Sequence, residues 1–397
     1  MAVSKRVNNI GVSPTMKVAA KAKELKAQGL NVIDLSVGEP DFPTPDNIKE
    51  AAKKAIDANH TRYTINSGIP QLRQAISDYL KKSCKLDYSP NDIIVSSGAK
   101  QSIYNTILSV VDPGDEVIIP APYWVSYPHM VSMAQGESIV IPTTQENNFK
   151  ITAEQLEKAI TPKTKVLIMC NPSNPTGAAY TPEELKSIAD VVRKYDMYVI
   201  SDEIYEQLVY DGFELVSFAS FDDEIKAKTI TVNGVSKTYA MTGWRIGFTA
   251  GPSDVINGIN KIQSHSTSNA ASISQYAALE ALTGPQEAIA SMKVEFAKRR
   301  NYLHTELNKI DGISCNLAEG AFYLFPNVEG IFGKSYDSVK IENSTDLALY
   351  LLNEAQIAVV PGSAFGAEGY LRFSYATSLE ILEDAVNRLN KALSKLN

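Results

Sequence analysis

The residues able to do chemistry in this chain sit just after short apolar runs. Asp92–Ser96 (DIIVS) leads into Ser97-Gly98-Ala99-Lys100, where a helical pattern begins. A glycine turn opening a helix presents free backbone N–H groups at the positive end of the helix dipole. That arrangement suits a phosphate, and an ordinary turn reads the same way. Lys165–Cys170 (KVLIMC) leads into Asn171-Pro172-Ser173-Asn174-Pro175-Thr176-Gly177. Two Asn-Pro steps and a glycine make a rigid turn that holds an Asn side chain ready to hydrogen-bond. Met197–Ser201 (MYVIS) leads into Asp202-Glu203-Ile204-Tyr205. A carboxylate at the end of a buried strand needs a cation or several donors. Taken alone, Asp202 reads best as a helix N-cap. Thr229–Val232 (TITV) leads into Ser236-Lys237, with Tyr239, Ala240, Met241 and Trp244 close behind and Arg245 eight residues on. A lysine enclosed by such apolar neighbours has a lowered pKa and becomes a nucleophile toward carbonyls.

Placed at successive strand ends of one sheet, these groups form a set that pyridoxal phosphate requires. Its aldehyde needs a lysine, its pyridine nitrogen a carboxylate, its ring oxygen Asn and Tyr donors, and its phosphate a helix N-terminus and an arginine. The whole chain resembles a class I aminotransferase of pyridoxal-phosphate fold type I, most of all the bacterial aspartate aminotransferases. The resemblance is carried by Gly38-Glu39-Pro40-Asp41-Phe42, Tyr63-Thr64 with Gly68, Asp112-Pro113-Gly114-Asp115 and Pro122-Tyr123-Trp124. It continues through Asn174-Pro175-Thr176-Gly177, Ser201–Tyr205, Ser236-Lys237, Thr242–Gly247 (TGWRIG) and Arg372.

The resemblance implies a role for each residue. Lys237 would carry the cofactor as an internal aldimine and then act as base and acid. Asp202 would keep the pyridine nitrogen protonated, and Asn174 and Tyr205 would bind the ring oxygen. Trp124 would stack on the ring. Gly98, Ala99, Lys100, Ser236 and Arg245 would hold the phosphate, with Tyr63 reaching across from a second subunit of a homodimer. Arg372 would clamp the substrate α-carboxylate beside Gly38, Trp124 and Asn174. Pro122 and Pro175 would follow cis peptide bonds. The reaction implied is transfer of the amino group of L-aspartate to 2-oxoglutarate with ping-pong kinetics. Aromatic amino acids, alanine or prephenate are the alternative substrates.

Two positions depart from the pattern. Gly234 stands three residues before Lys237, where many relatives have a phosphate-binding serine. No arginine is evident for a side-chain carboxylate. Lys100, Ser13 and Thr15 are the candidates for that role, and helix capping is an equal reading of the last two.

The elements that must position these groups follow from hydropathy. The runs above, together with Glu116–Pro120 and Arg245–Ala250, are nearly continuous in apolar character, as strands buried on both faces of a parallel sheet are. Helical spacing over Lys100–Val111 and Pro182–Tyr195 alternates with them. The expected architecture is therefore α/β: a large domain over residues 48–284 with a mostly parallel, seven-stranded sheet flanked by helices. Residues 1–47 and 285–397 form a smaller α+β domain. Its expected elements are a helix over Met292–Asn308, strands in Phe322–Pro326, Ile357–Pro361 and Tyr370–Tyr375, and a helix over Glu380–Lys395. Gly330–Ser344 reads as a loop.

Composition sets the outer bounds. The chain has 397 residues, 44% hydrophobic and 21% charged, with a net charge of −7. An acidic excess argues against a nucleic-acid or anionic-membrane surface. Three cysteines without CxxC spacing fit a reducing cytoplasm, and four scattered histidines offer no metal pair. No signal peptide or membrane span is expected. A metabolite-sensing transcription regulator on this fold would need a fused helix-turn-helix, for which the residues ahead of Gly38 leave no room. A catalytically dead scaffold conflicts with the presence of both Lys237 and Asp202.

Overall fold

The computed structural model describes residues 3–8, 10, 11, 15–337 and 339–397. Its centre is a seven-stranded sheet of β1 (Ile93–Ser96), β2 (Glu116–Ala121), β3 (Glu137–Pro142), β4 (Thr164–Cys170), β5 (Tyr198–Asp202), β6 (Thr229–Gly234) and β7 (Gly247–Ala250). The spatial order is β1-β7-β6-β5-β4-β2-β3. All neighbours are parallel except β7, which runs antiparallel to both β1 and β6. Strands β1, β6 and β7 are buried at every position. This is why β1 is apolar without alternation, whereas β6 alternates threonine with Ile and Val although it too is buried throughout.

One strand, β3, escapes the apolar-run rule. It lies at the edge, is mostly exposed or half-exposed, and ends on Pro142. An edge strand tolerates proline and polar positions, so it shows no buried signature. The helices follow local rules more closely. Helix Pro182–Val192 opens on proline after Thr181, which forms a capping box with Glu184.

A second core gathers residues far apart in sequence. Ala22, Leu25 and Leu35 pack with Phe296, Leu303, Phe322, Leu347 and Leu389. The expected strand Ile357–Pro361 is two strands. Ile357–Ala358 pairs in parallel with Ile33–Asp34, while β9 (Val360–Pro361) pairs with β10 (Leu371–Ser374). The third strand of the latter sheet is β8 (Tyr323–Leu324), on the other side of β10. Gly330–Ser344 is not a plain loop. It contains the end of a short 3₁₀ turn and a two-residue-strand hairpin, Ser335–Tyr336 with Val339–Lys340.

The cis bonds differ from expectation in one case. Ala121–Pro122 is cis, as the resemblance implied, but the second cis bond is Asn171–Pro172 and not the one before Pro175.

Antiparallel β7 has a consequence for the site. Its first residue, rather than its last, lies at the edge where the parallel strands end, so Arg245 arrives beside the turns that follow β1 and β6. The approach is close. A Cβ on Gly247 would collide with the backbone of Gly98 and Ala99, and one on Gly234 would lie 2.9 Å from Gly247 Cα and from the Ile246 carbonyl oxygen. The missing serine at position 234 thus has a steric reason. Gly247→Ala is expected to cost about 1–3 kcal/mol, the usual range for overpacking against backbone. A urea midpoint unchanged from that of the parent protein would contradict this close contact.

Candidate active site

A cavity of about 740 Å³ opens where the parallel strands end. The strand-end residues and the second core together form its walls. Among its lining residues are Gly38, Ala99, Lys100, Trp124, Asn174, Asp202, Tyr205, Ser236, Lys237, Arg245 and Arg372. Two expected site residues lie outside that wall. Gly98 sits directly behind it, and Tyr63 stands 91% exposed away from the cavity of its own chain.

Lys237 follows β6 by three residues. Its amine donates to the Gly38 carbonyl and lies 5.9 Å from the centre of the Tyr205 ring. Burial pushes its pKa down to about 8, and the nearby Arg372 charge adds to the effect, against the opposing pull of Glu39 and Asp202. The amine is therefore far more available in neutral form than that of a surface lysine.

Asp202 ends β5 and is 4% exposed. No helix follows it, so the N-cap reading fails. Instead the Ile204 N–H donates to Oδ1 at 3.3 Å, and the Tyr127 hydroxyl donates to Oδ2 at 2.6 Å. Burial raises its pKa to about 6, and the Tyr127 bond works against that rise. A cationic partner in the cavity would stabilise the ionised form.

Arg372 lies on β10 and is 7% exposed. It donates through Nη1 to Asn174 Oδ1 at 2.9 Å and through Nη2 to the Ser36 carbonyl at 2.6 Å. Its Nε has no partner, and it forms no ion pair among the described residues. A buried guanidinium held by neutral acceptors alone is a standing demand for an anion. Because Arg372 occupies Oδ1 of Asn174, the Asn174 amide N–H₂ is left as a donor.

At the other end, helix Ala99–Val110 begins after Gly98, whose φ is +88°. A Cβ there would collide with the Arg245 guanidinium. Glycine is thus required twice, for its backbone angle and for the close approach of a cation. The Ala99 and Lys100 N–H groups have no acceptor among the described hydrogen bonds, whereas Gln101 and Ser102 both donate to the Gly98 carbonyl. Arg245 donates to the Thr242 and Ser97 carbonyls and pairs with no carboxylate among the described residues. The Lys100 amine sits 4.8 Å from the centre of the Trp124 ring. Partial burial, and then the Arg245 charge, lowers its pKa.

A family model for class I and II aminotransferases matches residues 31–389. The chain belongs to that family. It is similar over its whole length to a probable aspartate/prephenate aminotransferase of Rickettsia felis, at 51% identity over 97% of that protein. An aspartate aminotransferase of Bacillus sp. YM-2 is 47% identical over 98% of each chain. The crystal structure of the aspartate aminotransferase from Rhizobium meliloti superposes with a TM-score of 0.97 at 43% identity, covering both chains fully. The chain is an aminotransferase of fold type I.

Some of the aminotransferase's side chains in and behind the cavity were not anticipated. Tyr127, which holds Asp202, lies inside the quoted run PYWVSYP but reads there as one aromatic among several. Tyr323, whose hydroxyl is 2.9 Å from that of Tyr205, comes from a strand noticed only for its apolarity. Glu39 accepts from Thr242 Oγ1 at 2.6 Å at the cavity wall, within a motif quoted for other reasons. Of the side-chain candidates, Ser13 lies outside the described residues. Thr15 opens helix Thr15–Ala27.

The lowered pKa gives a direct expectation. Labelling of Lys237 in the cofactor-free protein by an amine-reactive reagent, followed by mass spectrometry, should rise with pH through a midpoint near 8. Surface lysines should rise about two units higher. Arg372→Gln removes a neighbouring cation, so it should move the Lys237 midpoint upward. A midpoint like that of the surface lysines would contradict the burial of this amine.

Proposed function

We propose that the cavity binds pyridoxal 5′-phosphate and that the enzyme transfers the amino group of L-aspartate to 2-oxoglutarate, giving oxaloacetate and L-glutamate. The observation that carries this reading is the convergence of unpaired groups on one cavity: an amine, a carboxylate, a guanidinium and a helix N-terminus. The donor set fits the cofactor part by part. The open Ala99 and Lys100 N–H groups, Arg245 and Ser236 suit the phosphate, and the bare backbone at Gly98 lets the Arg245 guanidinium come close to that helix N-terminus. Asp202 suits the ring nitrogen, the Asn174 amide and Tyr205 hydroxyl the ring oxygen, and Trp124 the ring face. When bound, the cofactor supplies an aldehyde for amines and a ring that accepts the electron pair released at the substrate α-carbon.

The protein's own contributions follow from geometry and charge. Arg372 meets the α-carboxylate with two parallel hydrogen bonds, which fixes the orientation of the α-carbon. The Lys237 amine, neutral in good part near pH 8, takes the α-proton and later returns it. Asp202, ionised beside a cation, holds a proton on the ring nitrogen. Two substrates that use one site in turn give ping-pong kinetics.

Aspartate specificity is supported by the names of the relatives and by the Lys100 amine, which lines the same cavity as the buried Arg372. A second reading keeps aspartate as donor and makes prephenate an acceptor. The Rickettsia relative's name favours it, and so do the apolar side chains of Ile103, Trp124, Val125 and Phe365 around the cavity. The deciding experiment follows the bound cofactor's absorbance with one amino acid at a time, and then offers the aminated enzyme each oxo acid. Fast conversion by aspartate and glutamate, with alanine and phenylalanine slow, is the expected result. Conversion led by a neutral or aromatic amino acid would overturn the acidic specificity. Lys237→Ala should lose turnover by several orders of magnitude, about the scale of a missing proton-transfer group. Near-parental turnover would remove Lys237 from the mechanism.

Tyr63 completes the proposal. Exposed and outside the lining of its own cavity, it would serve the phosphate of a second copy in a homodimer. Tyr63→Phe is expected to weaken cofactor retention with little change in the unfolding midpoint, read by dialysis and residual absorbance. Retention equal to that of the parent would count against the shared site.

A further inference from the structure

Tyr323 on β8 is wholly buried, and its hydroxyl meets the Tyr205 hydroxyl at 2.9 Å. Neither hydroxyl has another partner among the described residues. Each carries one proton, so only one of the two donates within the pair, and the other's proton must go elsewhere. Two observations decide which. The Arg372 guanidinium lies 4.5 Å from the centre of the Tyr323 ring, and a cation on the ring face draws electron density and favours donation by that phenol. The Gly38 backbone also passes close to the Tyr323 hydroxyl, which lies 3.2 Å from where a Cβ on Gly38 would stand. Tyr205 is the one acceptor described for this wholly buried hydroxyl, and an undonated proton there would be costly.

We infer that Tyr323 is a positioning residue that donates to the Tyr205 oxygen and so leaves the Tyr205 proton free to donate into the cavity. The inference rests on the reading that the cavity holds pyridoxal phosphate, whose ring oxygen takes that proton. A hydroxyl that accepts one hydrogen bond becomes a stronger donor of its own. One side chain therefore touches both the substrate-carboxylate arginine and the ring-oxygen tyrosine.

The test is a pH titration of the bound cofactor's visible absorbance in four full-length, cofactor-loaded proteins: parent, Tyr323→Phe, Tyr205→Phe and the double variant. Donors to the ring oxygen stabilise its ionised form, so weakening them raises the midpoint. Tyr323→Phe keeps the ring beneath Arg372 and should raise it by about half a unit to one unit, the scale of one hydrogen bond. Tyr205→Phe should raise it further. The double variant should match Tyr205→Phe alone, because Tyr323 acts through Tyr205. An unchanged midpoint in Tyr323→Phe, or two shifts that simply add, would overturn the inference. A residue needed only for packing would move the unfolding midpoint and leave this titration where it was. A parent protein that takes up no cofactor would overturn the reading of the cavity and this inference with it. A normal parent titration with an unresponsive Tyr323→Phe would overturn this inference alone.

Discussion

The site depends first on a buried positive charge that the protein declines to neutralise. Arg372 is surrounded by the Asn174 carbonyl oxygen, the Ser36 carbonyl and the faces of Tyr323 and Phe365, all of them neutral. Taking a guanidinium out of water without a carboxylate is costly, and a free-standing fold has no reason to do so. Much else follows from that charge. It turns Asn174 so that its amide faces outward as a donor. It helps hold Lys237 near 8, in the range where an amine both gives and takes a proton. It polarises Tyr323. Asp202 is the complementary case, a carboxylate raised to about 6 by burial, with no cation of its own but the amine of Lys237 to oppose the rise. The cavity is thus strained electrostatically in both directions, and a ligand carrying an anion and a cation in the right places relieves both.

The second constraint is the reversed strand. Five parallel connections alone would bring only strand C-termini to the edge. By running β7 backwards between β1 and β6, the fold delivers a strand N-terminus there as well, and with it Arg245. The cost is crowding. Three glycines, Gly98, Gly234 and Gly247, lie where any Cβ would strike backbone or guanidinium. A serine at position 234 would have to displace the Gly247 and Ile246 backbone that the same geometry brings close.

The sequence made the parallel strands and the strand-end residues readable for one reason. A strand buried on both faces must be continuously apolar, and a polar group at its end then stands out. Lys237, Asp202, Asn174 and Arg245 all carry that contrast. The edge strand β3 does not, since its exposure removes the pattern. Asp202 was misread in isolation because an aspartate after a strand caps a helix more often than it ends in a turn, and nothing local tells the two apart. Tyr127 and Tyr323 were hidden for a different reason. Their importance lies in which hydroxyl they meet across the fold, and an aromatic residue in an apolar run carries no sign of its partner. The identity of the second cis proline has no local signal either. Asn171-Pro172 and Asn174-Pro175 are the same dipeptide, and the surrounding structure selects the first.

The pairing of Ile33–Asp34 with Ile357–Ala358, and of Ser36 with Arg372 across 336 positions of sequence, has a bearing on synthesis. Loop closure over such a span is entropically slow and gains nothing until both ends exist. On the ribosome the sheet from β1 to β7 can be assembled while the strand that carries Arg372 is still untranslated. The nascent chain therefore passes through a stage in which the strand-end groups of the sheet are present and Arg372 is not. Until Arg372 emerges and finds Ser36, the cavity lacks the wall that β8, β9 and β10 supply.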